Sequence, residues 1–502
     1  MKKISSLLLI LVLISCKNHI NENIINNQEK EIIKGYINKF PDNTQFSIAV
    51  IKNNKVDFLG YKIANDTIIE INNKDSVFEV GSITKLFTST ILTNLVNEDS
   101  IKLDDFITDY LPFELNPKEE NAKKTTFRML ANHTSGLPNY PSNLDSVARR
   151  NPLNPYLEYD SLLLIEYLKN ELILNSIPGD NYEYSNLGFG ILGYLLEIKT
   201  GKSYEELLKK YVFQKYDMGI STTNQKIVQN YLVKGQNEKG EIVPNWDLNI
   251  HRATGDVLSS TNDLANFVIA NFTNDSILSF QRQKTFDDHS NNVALGWNMI
   301  RFCGFTPFYW YFHDGGTLGY RSSIYMDTKA KSAVIVLSNF TAFHELSGNI
   351  SRIAKELLRH QYKFNEINSD CYCEAPFIEQ AIEKGWGTWI NDSISQIDNS
   401  ENSIIGVWQQ KLPNRINIRT FTPDNKAQSD FYNDDEIDVW GYYDIKGDTV
   451  IFKDMGGVGC DFEGVYKFNI ANDTLRFQLL KDDECDGRVR GMTGNWLRVK
   501  NK

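Results

Sequence analysis

The chain has 502 residues, a length that allows about three domains at roughly 150 residues each. Apolar residues make up 41% and charged residues 23%, ordinary globular usage that excludes wholesale disorder. The formal charge of -11, without any basic run, excludes nucleic acid as a natural partner. The seven histidines are scattered and form no HExxH or HxH pair. No metal centre from neighbouring ligands is therefore expected; an organic cofactor is not expected either.

Met1-Lys2-Lys3 is basic, and residues 4–14 are apolar apart from Ser5 and Ser6. This run falls short of the roughly 20 residues a membrane span needs, and reads as an export signal over 1–15. Cys16 follows directly after the small residue Ser15. That arrangement resembles a bacterial lipoprotein box, which implies cleavage before Cys16 and lipidation there. The alternative is an ordinary secretory signal with a chance cysteine. Residues 16–30 are polar and Asn-rich, as a flexible tether should be. The expectation is an exported bacterial lipoprotein, membrane-held through Cys16 on the periplasmic side, with inner or outer membrane left open. Five other cysteines remain, 303, 371, 373, 460 and 485. An exported chain can hold disulfides, but an odd number leaves a thiol free or paired with another chain. Cys460 and Cys485 are the favoured pair, and Cys371 and Cys373 are too close to bond easily.

Helical spacing of Ile32, Ile33, Tyr36 and Ile37 predicts a helix over 28–40. Residues 46–51 and 56–61 flank Asn53-Asn54 as a hairpin. A short strand at 77–80 leads into an apolar helix at 82–97. Residues 100–270 read as helices and long loops. Strand patterns return at 308–312, 322–326 and 333–337, and a helix at 347–360 closes the unit. Strands at both ends around a helical middle predict an α/β domain over 31–362, its sheet built from both halves of the chain. A connector follows at 363–400, with a helix near 376–395. From 401 to 502 short alternating strands with polar turns, such as 443–452 and 466–477, predict a small antiparallel β-barrel or sandwich.

Ser82-Ile83-Thr84-Lys85 sits at a strand-to-helix junction. Positions i and i+3 share a helix face, so the Lys85 amine can reach the Ser82 hydroxyl. The free N–H groups of a first helical turn favour negative charge developing at Ser82. A serine needs such a neighbouring base to act as a nucleophile, and Lys85 must be desolvated to serve as one. Two further elements follow in order, Tyr184-Ser185-Asn186 and His313-Asp314-Gly315 with Gly316.

Together these resemble the three active-site elements of the serine β-lactamase and penicillin-binding superfamily. The closer match is the class C β-lactamase and D,D-peptidase-like branch, whose second element begins with Tyr. Supporting stretches are 103–105, 110–112, 130–138, 201–204 and 260–265, and the resemblance covers roughly 30–360. It implies an antiparallel sheet flanked by helices, with an all-helical region. It also implies that Ser82 attacks a carbonyl while Lys85 and Tyr184 manage its proton. The N–H groups of Ser82 and Gly316 form the implied oxyanion hole. Asn186 bonds a substrate amide and holds Lys85. His313, where many relatives carry Lys, polarises Tyr184 or meets a substrate carboxylate, and Asp314 and Gly315 line the substrate site. In the C-terminal unit, Gly406-Val407-Trp408 and Trp496-Leu497-Arg498 resemble the ends of lipocalin-like barrels.

Blander roles stand beside these. Tyr184 could be core and Asn186 a helix N-cap. His133 reads as loop support, and the acidic run 482–486 as a solvated turn. His251 and Arg252, where relatives carry small residues, face the pocket or shape its rim. Asp314 is unusual after the third element's first residue. A carboxylate there would repel a substrate carboxylate, or pair with a substrate amine or a protonated His313. The expected function is a lipid-anchored serine hydrolase, foremost a D,D-peptidase acting on D-amino-acid-containing peptides. An esterase or β-lactamase on the same residues is the alternative. A catalytically silent protein that binds wall fragments or scaffolds a complex is the rival from another class.

Overall fold

The computed structural model describes residues 24–288, 291–300, 309–361 and, towards the C-terminus, 403–412, 415–423, 425–430, 439–457, 463–481 and 495–499. The export signal, Cys16, the connector at 363–400, the other five cysteines and the acidic run 482–486 lie outside the described residues.

The central sheet has nine antiparallel strands. The N-terminal strands are β1 (Gln45–Lys52), β2 (Lys55–Ala64) and β3 (Thr67–Glu70). A two-residue strand β4 (Phe78–Glu79) pairs with β5 (Leu258–Ser259) outside that sheet. The C-terminal half adds β6 (Phe286–Asp288), β7 (Asn291–Val293), β8 (Asn298–Ile300), β9 (Trp310–Gly316), β10 (Arg321–Asp327) and β11 (Ser332–Ser338). The order is β3-β2-β1-β11-β10-β9-β8-β7-β6. The two halves of the chain join where β1 pairs with β11, with Phe46 opposite Ser338 and Ile51 opposite Ala333.

Alternation along these strands divides the sheet between two cores. Ala49, Ile51, Ile335 and Leu337 face the core that holds the helical region. Phe46, Ile48, Val50, Val334 and Val336 face a second core. That second core is closed by α1 (Asn27–Ile37) and the last helix of the unit, Gly348–His360, through Ile33, Ile37, Ile350, Ile353 and Leu357. Both faces are covered, so β11 reads as an unbroken buried run rather than an alternating one. The first helix begins inside the stretch read as tether. Asn26 and Glu29 form a capping box, and Ile25 is buried just before it.

On the first core's side lie α2 (Thr84–Asn97) and α3 (Asn186–Thr200), which carry the first and second sequence elements. Only Val96 and Asn97 of α2 fall outside its buried set, because helices and sheet surround it on all sides.

The C-terminal unit is a closed antiparallel barrel of eight strands, β12 (Gly406–Leu412), β13 (Arg415–Phe421), β14 (Lys426–Asp430), β15 (Val439–Lys446), β16 (Thr449–Gly457), β17 (Glu463–Ala471), β18 (Thr474–Lys481) and β19 (Asn495–Arg498). It closes by pairing the two terminal segments, Trp408 opposite Arg498. The Arg498 guanidinium lies 4.3 Å from the centre of the Trp408 ring and bonds the carbonyls of Ser403 at 2.6 Å and Ile405 at 3.2 Å. Trp408, Phe421, Tyr443, Phe452, Tyr466 and Trp496 fill the interior.

Candidate active site

Ser82 sits in a single 3-10 turn, Gly81–Ile83, between β4 and α2. The turn has no room for a side chain at position 81. Gly81 has φ +51°, and a Cβ there would stand 2.5 Å from the backbone nitrogen of Gly316. The end of β9 thus lies directly against the Ser82 turn. Ser322 on β10 ties the same turn down by donating to the carbonyl of Val80 at 2.7 Å.

One turn later, Lys85 is fully buried and its amine meets three oxygens. These are Ser82 Oγ at 3.0 Å, Asn186 Oδ1 at 2.8 Å and the carbonyl of Thr254 at 2.9 Å. None is a carboxylate, and burial alone drives the amine's pKa well below the ordinary lysine value. A neutral amine fits this cage. In neutral form it has two N–H groups for Asn186 and Thr254 and a lone pair for the serine hydroxyl.

Tyr184 donates to Ser82 Oγ at 2.8 Å from the other side. Burial pushes its hydroxyl above the usual tyrosine range, so it is a protonated donor rather than a phenolate. Its ring rests on His133, with centroids 4.4 Å apart. His133 Nδ1 accepts from the backbone N–H of Ser185 at 3.1 Å, so this histidine fixes the turn bearing Tyr184. Burial, followed by Lys85 and His313, holds it well below the usual histidine pKa, and it stays neutral.

The N-cap of α3 is Ser185, whose Oγ accepts from Gly188 N at 2.9 Å. The capping role considered for Asn186 belongs to its neighbour, which frees the Asn186 side chain to meet Lys85. Asn139 and Tyr140 complete its surroundings. Asn186 Nδ2 bonds Asn139 Oδ1 at 2.9 Å and the Tyr140 hydroxyl at 2.9 Å. Neither residue, nor the Thr254 carbonyl, was among the sequence candidates. Asn139 and Tyr140 directly follow the family-like stretch 130–138, the one signal that pointed near them. A backbone carbonyl such as that of Thr254 leaves no mark in a sequence.

The third element runs to the end of β9, which extends past 312 to Gly316. His313 is buried, and its Nδ1 lies 2.7 Å from the carbonyl of Asp314. That contact requires Nδ1–H, leaving Nε2 as a buried acceptor with no partner. Burial, then Lys85, lowers its pKa to about 3, so it carries no charge at neutral pH. Gly315 faces the chain just before the Ser82 turn rather than open space, since a Cβ there would stand 2.0 Å from the Val80 carbonyl.

Asp314 does not line the substrate site. It lies on the opposite side of the strand from His313, where Ser323 donates to its Oδ1 at 2.7 Å and Arg321 pairs with its Oδ2 at 3.3 Å. The same guanidinium reaches Ser351 of the closing helix at 3.3 Å. The reason is strand alternation: adjacent residues of β9 serve opposite faces.

His251 packs beneath the site, stacked on Tyr159 at 5.1 Å, with Nδ1 at 2.4 Å from where a Cβ of Gly190 would be. Arg252 folds onto the Asn249 carbonyl at 2.8 Å. Together they shape the turn that delivers the Thr254 carbonyl to Lys85. The buried Glu79 and the half-buried Asp256 lie under the Ser82 turn. Glu79 accepts from Asn245 Nδ2 at 2.7 Å and Trp246 N at 2.9 Å, and Asp256 accepts from Leu248 N at 3.3 Å. Burial raises each to about 7.

The family model for beta-lactamases matches residues 36–357. The chain belongs to the beta-lactamase family. Among solved structures it is similar to a beta-lactamase/D-alanine carboxypeptidase from Pseudomonas syringae, with TM-score 0.56 and 20% identity over 67% of this chain and 100% of that one. It is likewise similar to a class C beta-lactamase from Rhodobacter sphaeroides, with TM-score 0.56 and 17% identity over 67% and 99%. At these identities the likeness establishes the fold alone. Protein flp of Staphylococcus aureus strain MW2 is 24% identical over 315 residues, 59% of each chain. The chain thus spans about three fifths of the length of such curated relatives.

Proposed function

We propose that this protein is a serine hydrolase that opens an ester or amide through an acyl-enzyme on Ser82. The observation that carries the reading is the Lys85 amine, buried without a carboxylate partner and 3.0 Å from Ser82 Oγ. Ser82 passes its proton to Lys85 as Oγ attacks the carbonyl carbon. The N–H groups of Ser82 and Gly316 take the developing oxyanion, typically worth ~3–4 kcal/mol for each donor. As the tetrahedral centre collapses, the proton shared by Lys85 and Tyr184 passes to the leaving group. A water then attacks the acyl group, giving its proton to the same pair. As an exported lipoprotein held through Cys16, the enzyme works at the outer side of a membrane.

Two substrate classes compete. A D-amino-acid peptide accords with the cell-wall location and with the D-alanine carboxypeptidase named among the similar structures. An ester without a free carboxylate accords better with the third element. Neutral His313 offers a lone pair where a substrate carboxylate needs a cation, and Arg321 is engaged by Asp314 on the far side of the sheet. We therefore favour the ester. The test is hydrolysis of a p-nitrophenyl ester beside release of D-alanine from a D-Ala-D-Ala peptide, for wild type and Ser82→Ala. Ester turnover that vanishes with Ser82 is expected, with little D-alanine released. Efficient D-alanine release would restore the peptidase reading.

A further inference from the structure

Asn186 has no amide proton to spare. Its Oδ1 is taken by Lys85, and its two N–H groups are directed at Asn139 Oδ1 and at the Tyr140 hydroxyl. Tyr140 stands at the mouth of the site, 40% exposed, with its ring against that of the buried Tyr156. Its ring also begins an aromatic wall. Tyr140 lies 5.9 Å from Tyr156, Tyr156 lies 5.3 Å from Trp246, and Trp246 lies 6.2 Å from Phe343, which is 71% exposed.

We propose that Tyr140 is a specificity-determining residue that closes the Asn186 amide, so that the enzyme selects simple apolar acyl esters over acyl groups bearing an amide beside the scissile carbonyl. An acyl group with such an amide brings a carbonyl that must find a donor when it leaves water. Both Asn186 N–H groups are already committed, and taking the one that Tyr140 holds means breaking that bond. An alkyl or aryl acyl chain asks for no donor and gains by covering exposed ring surface. The inference rests on the acyl-enzyme reading above.

A matched ester pair tests it. p-Nitrophenyl pentanoate and the p-nitrophenyl ester of N-acetylglycine share a leaving group and differ by an amide in the acyl chain. Each kcat/KM is divided by the ester's own hydroxide rate, to remove intrinsic reactivity. The wild type is expected to favour the pentanoate. Tyr140→Phe keeps the ring and frees one Asn186 N–H, so the ratio should move about tenfold toward the N-acetylglycine ester. Tyr140→Ala should move it in the same direction. A ratio unmoved in both variants overturns the assignment of Tyr140. Ser82→Ala is measured alongside: if it hydrolyses both esters as the wild type does, the acyl-enzyme reading itself fails. If turnover needs Ser82 and the ratio stays put, only the inference about Tyr140 is lost.

Discussion

The two faces of β9 carry neighbouring polar residues with opposite fates. On the site face, His313 is buried with one ring nitrogen unpartnered. On the back face, Asp314 is satisfied twice, by Ser323 and by Arg321. There the Asp314 carboxylate meets its counterpart in Arg321. The site face keeps polar groups dry and incompletely satisfied, the condition under which a lysine can be a base. Stability and reactivity are thus separated by the thickness of one strand.

The sharpest way to break that comparison is at Lys85. Replacing it with Ala should lower kcat/KM by roughly a thousandfold or more, with Ser82 left without its base. In the wild type, activity should be lost as pH falls and Lys85 gains a proton. Its burial sets the midpoint of that loss well below the ordinary lysine value of 10.5. His313, lowered to about 3, should add no limb between pH 5 and 9. A steady-state pH profile checks both points.

A smaller effect is expected at Glu79. Its folded pKa of about 7 exceeds the reference value of 4.5, so the folded state holds the proton more tightly. The stability this contributes is fully present below pH 4.5 and is lost as pH rises through 7. Glu79→Gln removes the dependence. The melting temperature of the wild type minus that of the variant should therefore fall between those pH values, by an amount corresponding to roughly 1–3 kcal/mol. A difference that stays flat with pH would mean that Glu79 is ionised throughout.

The smallest effect on chemistry is expected on the back face. Asp314→Gly should cost about 1–2 kcal/mol of stability by stranding Arg321. The preference between neutral esters and esters bearing a free carboxylate should shift less than about twofold, since one strand separates the change from Ser82. A strong gain for the carboxylate-bearing ester would return Asp314 to the substrate site.

Much of this site can be read in the sequence because its chemistry rides on local geometry. Ser82 and Lys85 are one turn apart, and Tyr184 and Asn186 flank a helix cap. The missed features are those that depend on long-range placement or on backbone atoms. Thr254 acts through its carbonyl, and Tyr140 reaches Asn186 across 46 positions. Asp314 is the instructive error. Ending the strand at 312 left its direction open, whereas carrying it to Gly316 puts His313 and Asp314 on opposite faces by simple alternation. The fold shows the same division. The hairpin and the two-ended sheet follow from local pattern. The pairing of Trp408 with Arg498, which closes the barrel, joins segments 90 positions apart that no local period connects.

The central claim is that Ser82, activated by a buried neutral lysine, forms a covalent acyl intermediate. Intact mass after brief incubation with a penicillin and, separately, with an activated ester measures this directly. The account predicts an acyl adduct on the wild type with the ester that Ser82→Ala does not form. An adduct of equal yield on Ser82→Ala would contradict it.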